Sequence, residues 1–135
     1  MSDIVFNRLA GLSVLVVEDE SIVYYLFEDS LKQLGCASVW RARNVETARA
    51  LLEQRQPDAA ILDVNLNGEL AYPVAIQLDE LGIPIVFATG YDRRGMPPFW
   101  ADRPLLEKPF TADALAIALD KALGNSEPNG HSLSE

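Results

Sequence analysis

The sequence predicts an α/β fold in which five parallel strands form a doubly wound sheet. Two observations carry this expectation. Short apolar runs alternate with segments whose apolar residues recur every three or four positions, so a strand-like period repeatedly gives way to a helical one. The runs Leu12–Val17 and Ala59–Leu62 are almost wholly apolar, as expected of strands covered on both faces. No internal repeat is present.

After the first strand, Leu12–Val17, the residues Val23, Leu26, Phe27, Leu31 and Leu34 follow at helical spacing. They predict a helix from about Ser21 to Leu34 with those side chains inward, stopped by Gly35. Ser38–Ala42 is the second strand. Asn44 is placed to cap a helix whose buried stripe is Val45, Ala48, Leu51 and Leu52, with Pro57 beyond its end. Ala59–Leu62 is the third strand, and Asn65-Leu66-Asn67-Gly68 has the chemistry of a loop. A third helix reaches Leu81, with Val74, Leu78 and Leu81 inward and Pro73 in or before its first turn. Gly82 ends it. Ile83–Ala88 is the fourth strand, its proline near the start, and Leu105–Glu107 is a short fifth. Thr111 caps a last helix with Leu115, Leu119 and Ala122 on one face and Gly124 as its stop.

Two segments depart from this alternation. Asp92–Arg103 holds a glycine and the adjacent Pro97 and Pro98, so the fourth helix is expected to be short or disordered, a loop with at most a turn or two. Residues 125–135, rich in Ser, Asn, Gly and Pro, are expected to be a disordered tail behind one domain over residues 1–124.

Composition narrows the function. A chain of 135 residues, 49% hydrophobic and 23% charged, is that of an ordinary globular domain, able to bury about two-thirds of its unfolded surface. A net charge of −9 argues against nucleic-acid partners, which are bound by clustered Lys and Arg. Cys36 is the only cysteine, which rules out an intrachain disulfide or a cysteine zinc site and predicts a buried, inert thiol. No apolar run approaches the ~18 residues of a membrane helix, and no signal peptide precedes the first strand. A cytoplasmic location without membrane contact is expected.

The candidate chemistry lies at strand ends. Open parallel sheets bind ligands at the carboxyl edge of their strands. Glu18-Asp19-Glu20 follow the first strand, Asp63 the third, Thr89 the fourth and Lys108 the fifth. Phosphorylating a carboxylate brings two anions together, so a hard divalent cation is needed, and Mg²⁺ suits a site of few carboxylates completed by phosphate and water. Glu18 and Asp19 are candidates to hold the cation, one directly and one through water. Asp63 is both ligand and nucleophile, and the backbone carbonyl of Asn65 fills another position. Lys108 pairs with Asp63 at rest and with a phosphoryl oxygen afterwards. Thr89 offers its hydroxyl to a second phosphoryl oxygen. Taken singly, these residues have plainer readings: charge at a helix N-terminus, a turn former, a solvated lysine. Four of them at four strand ends outweigh those readings.

Val16-Val17-Glu18-Asp19-Glu20, Asp63, Thr89 and Lys108-Pro109-Phe110 resemble the receiver domain of two-component response regulators, over roughly Gly11 to Leu123. The resemblance implies a flavodoxin-like, five-stranded sheet in the order 2-1-3-4-5 with helices on both faces. It also implies that a sensor histidine kinase passes its phosphoryl group to Asp63, that Glu18 and Asp19 are the metal-site acids, and that Thr89 and Lys108 are the conserved hydroxyl and amine of the motif. Pro84-Ile85-Val86-Phe87-Ala88-Thr89-Gly90-Tyr91 is similar to the signature of the FAT GUY subgroup, single-domain receivers of alphaproteobacteria. The loop Asp63-Val64-Asn65-Leu66-Asn67-Gly68-Glu69 resembles that subgroup too, and departs from the commoner pattern of a Met-Pro pair after the aspartate. Typical receivers carry an aromatic switch residue at the position read here as Leu106, which has no ring. Tyr91 is the expected replacement, with Gly90 giving its backbone freedom, the alternative being that Tyr91 only packs on the site. Phe99 and Trp100 are read either as an exposed docking anchor or as cover for the core.

The expected function is a single-domain response regulator that signals through a downstream protein or a phosphotransfer partner. It would phosphorylate and slowly dephosphorylate itself without being a turnover enzyme. A Mg²⁺-dependent phosphohydrolase shares the sheet and the aspartyl-phosphate, but needs its nucleophile on the first strand and a general acid two residues later, where this chain has the amide of Asn65. A phosphorylation-independent pseudo-receiver is the other alternative, although every required group is present. His131 is the only histidine and lies in the tail, so the chain is not read as a phosphohistidine donor.

Overall fold

The computed structural model describes residues 9–90 and 96–125. The strands in chain order are β1 Ser13–Val17, β2 Ser38–Ala42, β3 Ala59–Asp63, β4 Asn65–Leu66, β5 Glu69–Leu70, β6 Ile85–Thr89 and β7 Leu105–Glu107. Five form one sheet in the order β2-β1-β3-β6-β7, with every pairing parallel. With β4 and β5 set aside, this is the predicted 2-1-3-4-5 arrangement. The helices are α1 Ser21–Gln33, α2 Val45–Gln54, α3 Tyr72–Glu80 and α4 Ala112–Asn125.

Side-chain alternation divides the core into two. Val14 and Val16 of β1, Ala59 and Ile61 of β3, and Val86 and Ala88 of β6 face α1 and α4. Leu15 and Val17, Ala60 and Leu62, and Ile85 and Phe87 face α2 and α3. Successive strand residues point to opposite faces, so strands covered by helices on both sides must be apolar throughout. That is why β1 and β3 read as continuous runs.

Local signals act as read at several ends. Asn44 Oδ1 accepts from Thr47 N at 2.8 Å, while Thr47 Oγ1 accepts from Asn44 N, a reciprocal cap on α2. Thr111 Oγ1 accepts from Ala114 N at 3.1 Å at the start of α4. Gly35, with φ of 93°, turns the chain after α1 in a conformation that favours glycine.

Elsewhere the structure corrects the sequence reading. On α1 the buried residues are Tyr24, Phe27 and Leu31, and Leu26 is 55% exposed. Two residues of helix are about 200° of rotation, so a stripe centred on Tyr24 leaves Leu26 outside. Leu81 follows α3 rather than belonging to it and lies at the surface, its inward place taken by Ala75. Ile83 and Pro84 precede β6 rather than begin it. Gly124 does not stop α4, which continues to Asn125; the rest of the predicted tail lies outside the described residues. In the proline-bearing segment a three-residue 3₁₀ turn, Pro98–Trp100, stands where a fourth helix was in question. Trp100 is buried against Phe87 and Tyr72, whereas Phe99 is 69% exposed.

The loop Asn65–Gly68 is a hairpin. Leu66 pairs with Glu69 across the two-residue turn Asn67-Gly68, whose φ values are 55° and 92°. Positive φ at both positions is the type I′ turn that Asn-Gly favours. A Cβ built on Gly68 meets nothing within 4 Å, so only backbone conformation opposes a side chain there. Gly68→Ala should therefore lower stability by about 1 kcal/mol, measured by urea unfolding. Gly90→Ala, at a position with equal room and no positive φ, should stay within about 0.5 kcal/mol of wild type.

Candidate functional site

The ladder continues past the strand ends and brings their next residues together. Glu18 N donates to Ala42 O at 3.0 Å, Val64 N to Ala88 O at 3.0 Å, and Lys108 N to Thr89 O at 2.9 Å. Lys108 is thereby held opposite Asp63, and its Nζ lies 3.0 Å from Asp63 Oδ2 and 3.3 Å from Glu18 Oε1. Each remaining oxygen of these carboxylates accepts a backbone N–H: Asp63 Oδ1 from Asn65 at 3.1 Å, and Glu18 Oε2 from Glu20 at 3.2 Å. One oxygen from each of Glu18, Asp19 and Asp63 falls within 4.8 Å of the others. Glu18 is fully buried and Asp63 nearly so, while Asp19 is half-buried at the mouth.

Asp19, Asp63 and Lys108 line a cavity of about 530 Å³, together with Glu20, Asn65, Thr89 and the hairpin residues Asn67 and Gly68. Three carboxylates against one ammonium leave two formal negative charges in excess. The all-oxygen donor set and that excess charge fit a hard divalent cation. A larger hollow, about 670 Å³, lies at the opposite end of the strands near Pro84 and Pro104. There Arg103 and Asp79 already neutralise each other through two 2.8 Å hydrogen bonds.

Crowding shows in the protonation of the site. Burial, and then the negative charge of Asp63, push the Glu18 carboxyl from its ordinary 4.5 up to about 7, although Lys108 opposes the rise. For Lys108 burial works to lower the pKa. The hydrogen bond and charge of Asp63, then the charge of Glu18, overcome it and hold the ammonium above its ordinary value. Cys36 is buried as expected, and burial pushes its thiol up to about 11.

Glu18, Asp19, Asp63 and Lys108 thus meet as the sequence predicted, with Thr89 buried beside them. Asn65 and Gly90 also line the cavity. Leu106 lies on the opposite side of the sheet from Thr89. It packs with Ala88 on the α1/α4 face, while Phe87 belongs to the other face and Thr89 follows Phe87 by two residues. The β7 residue on the Phe87 side is Leu105, which pairs with Phe87 in register. Neither position offers an aromatic ring. Tyr91 lies outside the described residues. Sequence reasoning missed two contributors. The hairpin was signalled by Asn67-Gly68. Arg41, at the end of β2, was read only as a strand residue; its signal was a lone charge in a strand neighbouring β1.

Residues 14–120 match the response regulator receiver domain. The chain belongs to that family. It is 32% identical over 117 residues to the sensory transduction protein LytT of Bacillus subtilis, covering 82% of this chain and 47% of that protein. The receiver therefore spans about half the length of the curated relatives it matches. The solution structure of SdrG from Sphingomonas melonis Fr1 is similar at a TM-score of 0.76 and 42% identity, covering 85% of this chain and 98% of that one. The BeF3-activated conformation of SdrG from Pseudomonas melonis Fr1 is similar at 0.73 and 43% identity, covering 82% and 95%. No helix among the described residues is long and apolar enough to cross a membrane.

The raised Glu18 pKa sets a pH dependence. In the folded receiver Glu18 keeps its proton to about pH 7, and in the unfolded chain only to about 4.5. Between those values the folded state binds more protons, so rising pH favours unfolding. In chelator, the thermal midpoint should fall as pH rises from about 5 to 8, and Glu18→Gln should flatten that dependence.

Proposed function

We propose that this receiver accepts a phosphoryl group on Asp63 from a phosphohistidine of a sensor histidine kinase, with Mg²⁺ at the acidic cluster. The observation that carries this reading is the contact of one ammonium, Lys108, with both Asp63 and Glu18 beside a third carboxylate. Glu18, Asp19, Asp63 and the backbone carbonyl of Asn65 would hold the cation. When bound, the cation neutralises charge between the incoming phosphoryl group and the carboxylate.

The residues of the chain account for the remaining steps. A carboxylate oxygen of Asp63 bonds to phosphorus as the P–N bond to the donor imidazole breaks, and the ring nitrogen takes the electron pair and leaves. Esterification removes the negative charge that Lys108 neutralises in the resting state, which frees its ammonium to bind a phosphoryl oxygen. Thr89, buried at the cavity wall, donates its hydroxyl to another. Hydrolysis of the acyl phosphate resets Asp63, so the domain acts as a timed phosphoacceptor rather than a turnover enzyme. A phosphohydrolase gains no support: Asn65 presents an amide at the position of the general acid, and its Oδ1 is engaged by Gly68 N at 2.7 Å.

The output proposed is contact with a downstream protein or a phosphotransfer partner in the cytoplasm, consistent with a net charge of −9 that disfavours nucleic acid. The Phe87-Ala88-Thr89-Gly90-Tyr91 run supports placement in the FAT GUY subgroup. Within that reading Tyr91 serves as the switch, since none of Leu105, Leu106 and Glu107 of β7 carries an aromatic ring.

Intact-mass measurement after incubation with Mg²⁺ and acetyl phosphate should show one phosphoryl adduct on wild type and none on Asp63→Ala. An adduct surviving in the variant would remove Asp63 as the acceptor. Lys108→Met should cut the phosphorylation rate by at least about tenfold, as loss of a charge-stabilising group does.

A further inference from the structure

Arg41 stands behind the acidic turn rather than within it. It is the fourth residue of β2 and pairs in register with Val16 of β1, two residues before Glu18. Its Nη2 lies 3.4 Å from Glu18 O, 3.3 Å from Asp19 O and 3.3 Å from Ser21 Oγ. Two N–H groups are thus shared by three acceptors along one bend of backbone. The guanidinium sits over the Tyr24 ring, 4.7 Å from its centre, within range of a cation–π attraction. Among the described residues no carboxylate lies within ion-pair distance of it, so it grips the backbone of both acids and leaves their charges uncancelled.

One further observation separates a functional from a stabilising role. Arg41 Nε is buried and has no hydrogen-bond partner among the described residues. An unsatisfied buried donor is a liability for stability, so arginine is a poor choice here if packing alone mattered. Its length and planarity explain its presence: one terminal nitrogen of the rigid guanidinium reaches both successive carbonyls while the stem stays in the strand.

We propose that Arg41 is a positioning residue for the cation site, fixing the carbonyls of Glu18 and Asp19 so that their carboxylates converge on Asp63. The inference rests on the Mg²⁺ reading above. It makes a prediction opposite in sign to simple electrostatics. Removing a nearby positive charge should tighten binding of any cation, whereas releasing the turn should weaken binding of a cation that demands strict geometry. Mg²⁺ requires near-ideal octahedral ligands, and Ca²⁺ tolerates irregular ones.

The test is titration of the metal-free receiver with Mg²⁺ and with Ca²⁺ by calorimetry, for wild type, Arg41→Met and Arg41→Lys. Met keeps the apolar stem; Lys keeps stem and charge but loses the rigid planar guanidinium and its reach. Both variants should bind Mg²⁺ about tenfold more weakly, the usual effect of removing a group that orients a ligand, with Ca²⁺ affinity within about threefold of wild type. Unchanged or tighter Mg²⁺ binding in Arg41→Met, or equal weakening of both cations, would overturn the proposal. If Arg41→Met does not fold, Arg41→Lys decides by the same Mg²⁺-to-Ca²⁺ comparison. Wild type that binds no Mg²⁺ would instead strike at the proposed function itself.

Discussion

Three carboxylates forced around one ammonium are the constraint from which the rest of this receiver follows. At separations below 5 Å in a poorly solvated pocket, like charges repel strongly, and a single Lys108 cannot balance them. Such a cluster adds little to stability, because burying charged groups consumes much of what their pairing returns. It persists because its members are tied to three strand ends, Glu18 and Asp19 after β1, Asp63 on β3 and Lys108 after β7. The hydrogen-bond ladder of the sheet dictates where those ends lie. The raised pKa of Glu18 is the visible sign of that compression. Perturbed titration in a cleft accompanies functional sites and structural ion-pair networks alike, so it is the cavity and the donor set that mark this one as a candidate site.

Holding those ends still is the task of the two apolar layers. Phe27, Leu31, Leu115 and Leu119 close one face, and Ala48, Leu52, Val74 and Leu78 the other. Phe110 stacks on Phe27 with ring centres 4.3 Å apart, which anchors the chain two residues beyond Lys108 to α1. On the opposite face Arg103 grips Asp79 of α3 and lies over Trp100, so the segment leading into β7 is fastened at both an ionic and an aromatic contact. The lysine is therefore braced from both layers, and its reach to Asp63 is a property of the packed domain rather than of a flexible side chain alone.

The meeting of Glu18, Asp19, Asp63, Thr89 and Lys108 was legible because it depends on strand ends, and uninterrupted runs such as Leu12–Val17 mark those ends plainly, whereas the sheet order was implied only by the family resemblance. Helix faces were less legible. Leu26 and Tyr24 are both large and partly apolar, and only the packed partner decides which turns inward; Tyr24 wins because its hydroxyl reaches Glu28 at 3.0 Å while its ring lies beneath Arg41. The hairpin was concealed by its brevity, since two-residue strands have no detectable period. Arg41 was concealed for another reason. It binds backbone carbonyls, which every sequence possesses, so no pairing of residue types could announce it.

The faces of β6 also bear on how a change at Asp63 can travel. Phe87 and Thr89 are two residues apart and Ala88 lies between them, so Thr89 leaves the strand on the side of the sheet that Phe87 occupies. Phe87 meets Trp100 edge-on at 5.5 Å between ring centres, and Trp100 in turn meets the exposed ring of Phe99 at 4.7 Å. On β7 that side carries Leu105, and Leu106 belongs to the opposite layer. Among the described residues, Phe87, Trp100 and Phe99 form a packed aromatic run from the strand bearing Thr89 to the surface.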